Sequence, residues 1–348
     1  MAHYLRPLGL VYGPDARNLI AIGKAAPLGG LAHIGFTLVE RVARDAGNIT
    51  KTVISLEAAA ADPAFAPITA PRPSFGPLKL DQCLIMGVVN VTPDSFSDGG
   101  LTFGSEAAIA HALKMAEEGA SILDVGGEST RPGSDEVTIV DERERIMPVI
   151  KALAKTCTVS VDTRKAILMQ EALASGAAII NDVSALQFDA QSAPTLAHSK
   201  APVILMHAQG QPRTMQLHPK YNNVALDVFD QLAALIAKAE AAGISRANIM
   251  VDPGIGFGKT FKQNLELLQQ LTLFHGLGVG LLIGLSRKGF IGAITGEKTA
   301  ANRVSGSIGG AVHAAMMGAH VLRVHDVRET LSAISVFNGA NDPASVAI

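Results

Sequence analysis

Beyond residue 80 the chain repeats one pattern: a short apolar run, a polar break, then an amphipathic stretch. The apolar runs fall at 84–89 (LIMGVV), 121–125 (SILDV), 158–161 (TVSV), 177–180 (AAII), 202–206 (PVILM), 248–251 (NIMV), 281–284 (LLIG) and 320–324 (HVLRV). Helical periodicity predicts helices at 105–118, 141–155, 164–175, 224–242, 261–274 and 326–337, with at most a short one within 181–201. Continuously apolar runs of this length suit strands buried on both faces, and their alternation with helices predicts a parallel sheet. Eight of them over about 250 residues match an α/β fold of the closed (β/α)8 kind, a TIM barrel. A doubly wound open sheet is the competing arrangement, but its Gly-rich dinucleotide fingerprint is missing.

The first 62 residues read differently. Apolar runs near 19–22, 36–39 and 52–56 predict a small α+β extension over 1–62 with no chemical motif, so packing or support of a dimer is its expected use. Five prolines between 62 and 77 (Pro63, Pro67, Pro71, Pro73 and Pro77) remove backbone donors, which predicts a Pro-rich linker over 63–80. The catalytic barrel is expected over 81–340.

Composition narrows the class. Hydrophobic residues make up 48% and charged ones 17%, which supports a large core and excludes global disorder. A net charge of -2 gives no electrostatic case for nucleic acid or an acidic membrane surface. Two cysteines, Cys83 and Cys157, rule out a disulfide framework or a Cys-rich metal site. The start MAHYLRPLGL lacks a basic leader followed by an apolar stretch, and GLGVGLLIGL (276–285) falls short of the about 20 residues that cross a bilayer. A soluble cytoplasmic protein is expected.

Each apolar run ends in polar residues that a core would not select: Asn90, Asp124, Asp162, Asn181-Asp182, His207, Asp252, Ser286-Arg287-Lys288, and Arg323 with His325 and Asp326. In a barrel these positions share the C-terminal face, where the βα loops build active sites. Any one carboxylate there reads equally well as a helix cap, and Asp326 with Glu329 fits a capping box. Seven or eight on one rim exceed what caps explain. Two decoys drop out. DPGIGFGKT (252–260) has Pro253 where a phosphate loop needs Gly, and Ser286 lacks the Gly of a nucleophile elbow.

The surviving set suits two ligand chemistries. Asp162, Asn181 and Asp252 offer acceptors to a flat ligand with a row of N–H donors, such as the 2-amino-4-oxo edge of a pterin, and Lys288 can donate to its carbonyl. Met206 and Phe257 offer apolar faces, although ordinary core is the plainer reading of Met206. Arg323 and His325, beside the loop of Asn90, fit the customary phosphate site of the barrel, with Arg131 adding charge. Asn90 is an oxygen donor suited to Mg2+.

MGVVNVTPDSFSDGG (86–100) and ILDVGGESTRPGS (122–134) resemble the two signature segments of the dihydropteroate synthase family. SVDTRK (160–165), INDVSA (180–185), MHAQGQPRTMQ (206–216), DPGIGFGK (252–259), GLSRK (284–288) and RVHDV (323–327) are similar to its later motifs, in the same order. The resemblance covers about 84–337 and leaves out 1–70. It implies a homodimeric transferase that joins a pterin diphosphate to 4-aminobenzoate, with Mg2+-assisted loss of pyrophosphate and attack by the arylamine. By matching position it implies that Asp162, Asn181, Asp252 and Lys288 hold the pterin, with Met206 in the wall. Asn90 would ligate Mg2+, and Arg323 and His325 would bind the diphosphate. Thr130, Arg131, Pro132, Phe257 and Lys288 would form the aminobenzoate site. Asp98 and Arg131 would come from loops that close over the reacting centre and, with Lys288, serve catalysis. One departure stands out: Gly289 follows SRK, where the family often has a Ser that helps hold the aminobenzoate carboxylate.

Two other readings use the same rim. A methyltetrahydrofolate:corrinoid methyltransferase would bind pterin in a similar barrel but needs neither the diphosphate residues nor SRK. A non-catalytic pterin binder needs no leaving-group machinery.

Overall fold

The structure, a computed structural model, describes residues 2–45, 47–92, 100–129, 136–210, 215 and 219–346, and of residues 100–103 the backbone only. The amino-terminal part runs β1 (Ala2–Tyr12), α1 (Gly13–Ala21), β2 (Ala26–Leu28), β3 (Leu31–Asp45), β4 (Asn48–Ser55), α2 (Leu56–Ala60) and α3 (Phe65–Thr69). The long β3 pairs antiparallel with β1 along one edge and with β2 and then β4 along the other. The sheet buries Leu5 of β1, Leu28 of β2 and Leu31, Ile34, Phe36 and Val39 of β3 in one cluster with Ile68 of α3.

Eight parallel strands follow: β5 (Leu84–Asn90), β6 (Ile122–Gly126), β7 (Val159–Asp162), β8 (Ile179–Asp182), β9 (Val203–Met206), β10 (Ile249–Asp252), β11 (Gly280–Ile283) and β12 (Val321–Val324). They pair in chain order and β12 returns to β5, closing the barrel. The outer helices are α4 (Gly100–Glu117), α5 (Ile139–Leu153), α6 (Ala166–Ala174), α7 (Ser192–Ser199), α8 (Val224–Ala241), α9 (Phe261–Gln269), α10 (Gly289–Thr295), α11 (Val304–Met316) and α12 (Val327–Asn341). Several helix starts are capped by side chains. Thr138 accepts from the Asp141 N–H, Asn223 from that of Leu226, and Thr260 and Gln263 form a reciprocal capping box.

Three local expectations change. The helix predicted over 261–274 ends at Gln269 and continues as a 3-10 helix, Leu271–Leu277. α10 and α11 have no counterpart in the periodicity, because the glycines of VSGSIGGAVHAAM weaken the helical signal. They serve packing instead: a Cβ on Gly310 would lie 2.6 Å from Leu285 Cδ1. The Asp326 capping box does not form. Its carboxylate accepts from Arg287 (Nε 3.1 Å), a charge-assisted pair that outcompetes a cap on neutral backbone N–H groups.

The Pro-rich segment 63–80 has a structural task. It carries α3, whose Pro67 sits in a first turn where backbone N–H groups lack helical partners in any case. It then inserts Phe75 and Leu80 into the base of the barrel among Leu84, Met86, Ile122, Ile179, Ile204, Met250, Leu282 and Val321. Burying a Phe side chain in this way stabilises by about 2–3 kcal/mol. Polar contacts tie the sheet and the Pro-rich segment to the same end: Thr272 Oγ1 donates to Pro7 O (3.0 Å), Arg72 to His275 O (3.0 Å), and His320 Nε2 lies 3.3 Å from Gly29 O. On the flank, Tyr4 donates to Asp230 (3.0 Å) and Arg44 to Asp227 (2.6 Å), both on α8.

Candidate active site

Strand parity explains where the chemistry lies. Side chains two apart share a face, so the inward apolar residue at the base of each strand specifies which later residue enters the mouth. Met86 leads to Asn90, Ile122 to Asp124, Ile179 to Asn181, Ile204 to Met206, Met250 to Asp252 and Val321 to Arg323. Asp162, at the end of β7, joins them.

The centre of the mouth is one charged cluster. Arg323 Nε donates to Asp124 Oδ2 (2.6 Å) and its Nη2 to Asp162 Oδ2 (3.0 Å). Asn181 Nδ2 donates to the same Asp124 oxygen (3.0 Å), and Asp124 Oδ1 is buried with no hydrogen-bond partner among the described residues. Burial, with negative Asp124, Glu142 and Asp182 nearby, pushes the Asp162 carboxyl up to about 8, and Arg323 opposes the rise. Asp252 is likewise raised by burial, against the pull of Lys288 and a hydrogen bond from Gly254 N (2.7 Å). Lys288 faces it, its ammonium donating to Ile255 O and standing 4.6 Å from the centre of the half-buried Phe257 ring. Burial lowers Lys288 to about 8, with Asp252 opposing. Met206 is 4% exposed and walls the cluster on the β9 side.

Away from this centre, His325 Nδ1 lies 3.0 Å from Ser286 Oγ, beside the end of β12, and Asn90 is half-buried at the end of β5. The geometry therefore brings together Asp162, Asn181, Asp252, Lys288, Arg323, Met206 and Phe257. Asp98, Thr130, Arg131 and Pro132 lie outside the described residues.

Sequence reading assigned no role to several residues that the site uses. Asp124 carries two of the cluster's bonds; its signal was parity with Ile122 inside an otherwise apolar strand. Ser286 orients His325, and Arg287 pairs with Asp326. Glu128 accepts from Arg164 (2.8 Å) and Lys165 (3.1 Å), bracing the loop after β6, and Asp182 caps Ser184 and Leu186 rather than facing the mouth. Among the described residues no helix is long and apolar enough to cross a membrane.

A barrel whose mouth pairs flat-ligand acceptors with fixed cations is what a pterin-handling enzyme requires, and the profile of the family described as pterin binding enzyme matches residues 86–325. Dihydropteroate synthase of Escherichia coli (strain K12) is 46% identical over 261 residues, 74% of this chain and 92% of that protein. The Haemophilus influenzae dihydropteroate synthase is 46% identical over 262 residues, 75% of this chain and 94% of its own. The Xanthomonas albilineans dihydropteroate synthase with 4-aminobenzoic acid superposes with a TM-score of 0.74 at 44% identity, covering 80% of this chain and 100% of that one. The same enzyme in complex with 7,8-dihydropteroate gives 0.71 at 42% identity, with the same coverage. The chain belongs to the dihydropteroate synthase family.

Proposed function

We propose that this mouth joins 6-hydroxymethyl-7,8-dihydropterin diphosphate to 4-aminobenzoate, giving 7,8-dihydropteroate and pyrophosphate. The convergence of Asp162, Asn181 and Asp252 around Arg323 and Lys288, in a chain of this family, is the observation that carries it. The pterin's planar donor edge offers two parallel N–H bonds to a carboxylate, Asn181 accepts a further one, and Lys288 donates to the ring carbonyl. An arriving pterin competes with Arg323 for Asp162. Displacement frees the guanidinium to turn toward the diphosphate, which His325 also meets, so occupying one subsite arms the other.

Aminobenzoate lies against Phe257, with Thr130, Arg131, Pro132 and Lys288 completing its site. The arylamine nitrogen bonds to the pterin methylene as the carbon–oxygen bond to diphosphate breaks, and the amine gives up one proton to the departing pyrophosphate or water. Asp98 and the electron-rich ring offset positive charge growing on the methylene. Fixed charges aimed at developing charge are usually the largest catalytic contribution. No covalent nucleophile enters.

Mg2+ fits this rim on donor chemistry. Among the described residues no three His, Cys, Asp or Glu side chains are grouped to hold a metal, so the ion would rest on the Asn90 amide oxygen, substrate oxygens and water. When bound, it supplies neutralisation of the diphosphate charge. Cytoplasmic residence and a homodimer belong to the same reading, supported by the sparse cysteines and the family resemblance; sedimentation at the mass of a single chain would remove the dimer.

Titration with the pterin diphosphate tests the pocket. Asp252→Asn turns one acceptor oxygen into a donor and is expected to weaken binding by about tenfold or more. Wild-type affinity in that variant would sink the assignment.

A further inference from the structure

Lys259 was set aside in the sequence as part of a failed phosphate loop, yet it is 1% exposed, and a buried lysine requires a reason. Its Nζ lies 2.9 Å from His207 Nδ1, 2.8 Å from Gly254 O and 3.0 Å from Phe257 O. An ammonium has three donors, and these are its three short contacts, with His207 O more distant at 3.4 Å. His207 can accept only with its proton on Nε2, and Nε2 lies 2.9 Å from Gln231 Oε1 of α8, an atom that only accepts. The chain of bonds therefore runs in one direction, from Lys259 through His207 to Gln231. Burial and the Lys259 charge hold His207 down to about 3, so the ring stays a neutral acceptor. Burial lowers Lys259 itself to about 7, with Asp252 opposing and Lys288 adding to the fall.

The surroundings have no slack. The His207 backbone N–H donates to Asp252 O (2.9 Å), and Tyr221 donates to Gly258 O (2.9 Å). Gly254 holds a φ of +68°, and a Cβ there would stand 1.8 Å from His207 O. The 252–259 loop is thus clamped to the end of β9, with the Lys259 ammonium as its central fastening. That loop carries Asp252 at one end and Phe257 near the other.

We infer that Lys259 and His207 are positioning residues, which hold the Asp252 carboxylate and the Phe257 ring in the geometry that pterin and aminobenzoate require. This rests on the pocket assignment proposed above. Misplacing a binding group by about 1 Å can cost roughly a hundredfold, so the effect should appear in binding without removing any group that touches substrate.

The test uses two replacements of one residue in the full chain. In His207→Asn the amide oxygen takes the place of Nδ1 and still meets Lys259. In His207→Gln the amide takes the place of Nε2, still meets Gln231 and leaves Lys259 only the distant backbone carbonyl of residue 207, at 3.4 Å, as its third acceptor. Titration with 6-hydroxymethyl-7,8-dihydropterin diphosphate is expected to give His207→Asn within about threefold of wild type, and His207→Gln and Lys259→Met about tenfold or more weaker. Equal affinities for the Asn and Gln variants would overturn the proposal, as would wild-type affinity in a folded Lys259→Met. If Lys259→Met does not fold, the Asn and Gln pair decides alone. Asp252→Asn is measured alongside: if it too binds as wild type, the pocket assignment has failed, whereas if it alone loses binding, only the positioning role has.

Discussion

The two ends of the barrel are made from the same strands and obey opposite rules. At the base, inward residues are apolar, Phe75 and Leu80 seal the opening, and the amino-terminal sheet packs alongside. At the mouth, two positions further along β6, β8, β10 and β12, the inward residues are Asp124, Asn181, Asp252 and Arg323. Burial strains the charges there: Asp162 and Asp252 are raised, Lys288 is lowered, and Asp124 Oδ1 has no partner among the described residues. The contrast separates stability from chemistry along one strand. Such a mouth is stable because the base is well packed, and it is useful because its charges are held short of full satisfaction.

Removing the central cation should have the largest effect. Arg323→Ala is expected to lower kcat/KM for pyrophosphate release by roughly 10²- to 10³-fold. Turnover like wild type would show that the mouth's charges are not catalytic. The matching change at the base is Phe75→Ala, expected to cost about 3–4 kcal/mol in urea unfolding with substrate KM values within about twofold of wild type. A large KM change would mean that the two ends are not separable.

The next effect concerns acid. Buried His320 accepts from Leu281 N (3.1 Å) and faces Gly29 O, a geometry that requires the neutral ring, and burial lowers it to about 4. His275, in edge contact with it, is lowered well below its ordinary value by burial and by its neighbours His320 and Arg72. A folded-state pKa below the unfolded one means the unfolded chain binds more protons as pH falls. The contribution of these two histidines is therefore full above about 6.5 and declines toward about 4, with His320 alone losing about 2 kcal/mol by pH 5, while the raised Asp162 and Asp252 carboxyls gain stability over the same fall. Urea midpoints at pH 7.5 and pH 5 measure it. His320→Asn, which keeps an acceptor for Leu281, should remove this acid-side cost and make the change from pH 7.5 to pH 5 more favourable by about 2 kcal/mol, and an unchanged slope would remove His320 as its source.

The smallest effect belongs to the mouth. A Cβ on Gly289 would stand 3.5 Å from the Phe261 ring, ordinary contact, so Gly289→Ser fits without strain. It adds the hydroxyl that the sequence resemblance implies beside the aminobenzoate carboxylate. A lowering of KM for aminobenzoate by about two- to fivefold is expected, about the value of one hydrogen bond. An unchanged KM would mean that the carboxylate lies elsewhere.

Much of this was legible in the residues because buried parallel strands write themselves as uninterrupted apolar runs. LIMGVV, AAII and PVILM could be little else, and the polar residues closing each run marked the mouth. What escaped notice depends on contacts far apart in sequence. β1, AHYLRPLGLVY, is broken by Arg6 and Pro7 and gains its strand character only from pairing with β3. The linker's role as a plug follows from Phe75 meeting residues spread from Leu84 to Val321. Asp124 and Arg323 are 199 positions apart, and Lys259 looked like a phosphate-loop remnant until its cage of carbonyls was seen. Asp326 had the spacing of a capping box, but Arg287, which no local rule takes into account, claimed it.

We propose that the mouth couples a pterin pocket to a leaving-group pocket and an arylamine site. Pyrophosphate release from 6-hydroxymethyl-7,8-dihydropterin diphosphate, followed with and without 4-aminobenzoate, tests it most directly. Release is expected to depend on aminobenzoate and to yield one dihydropteroate per pyrophosphate. Tight pterin binding with no aminobenzoate-dependent release would contradict it and leave a protein that only captures the ligand.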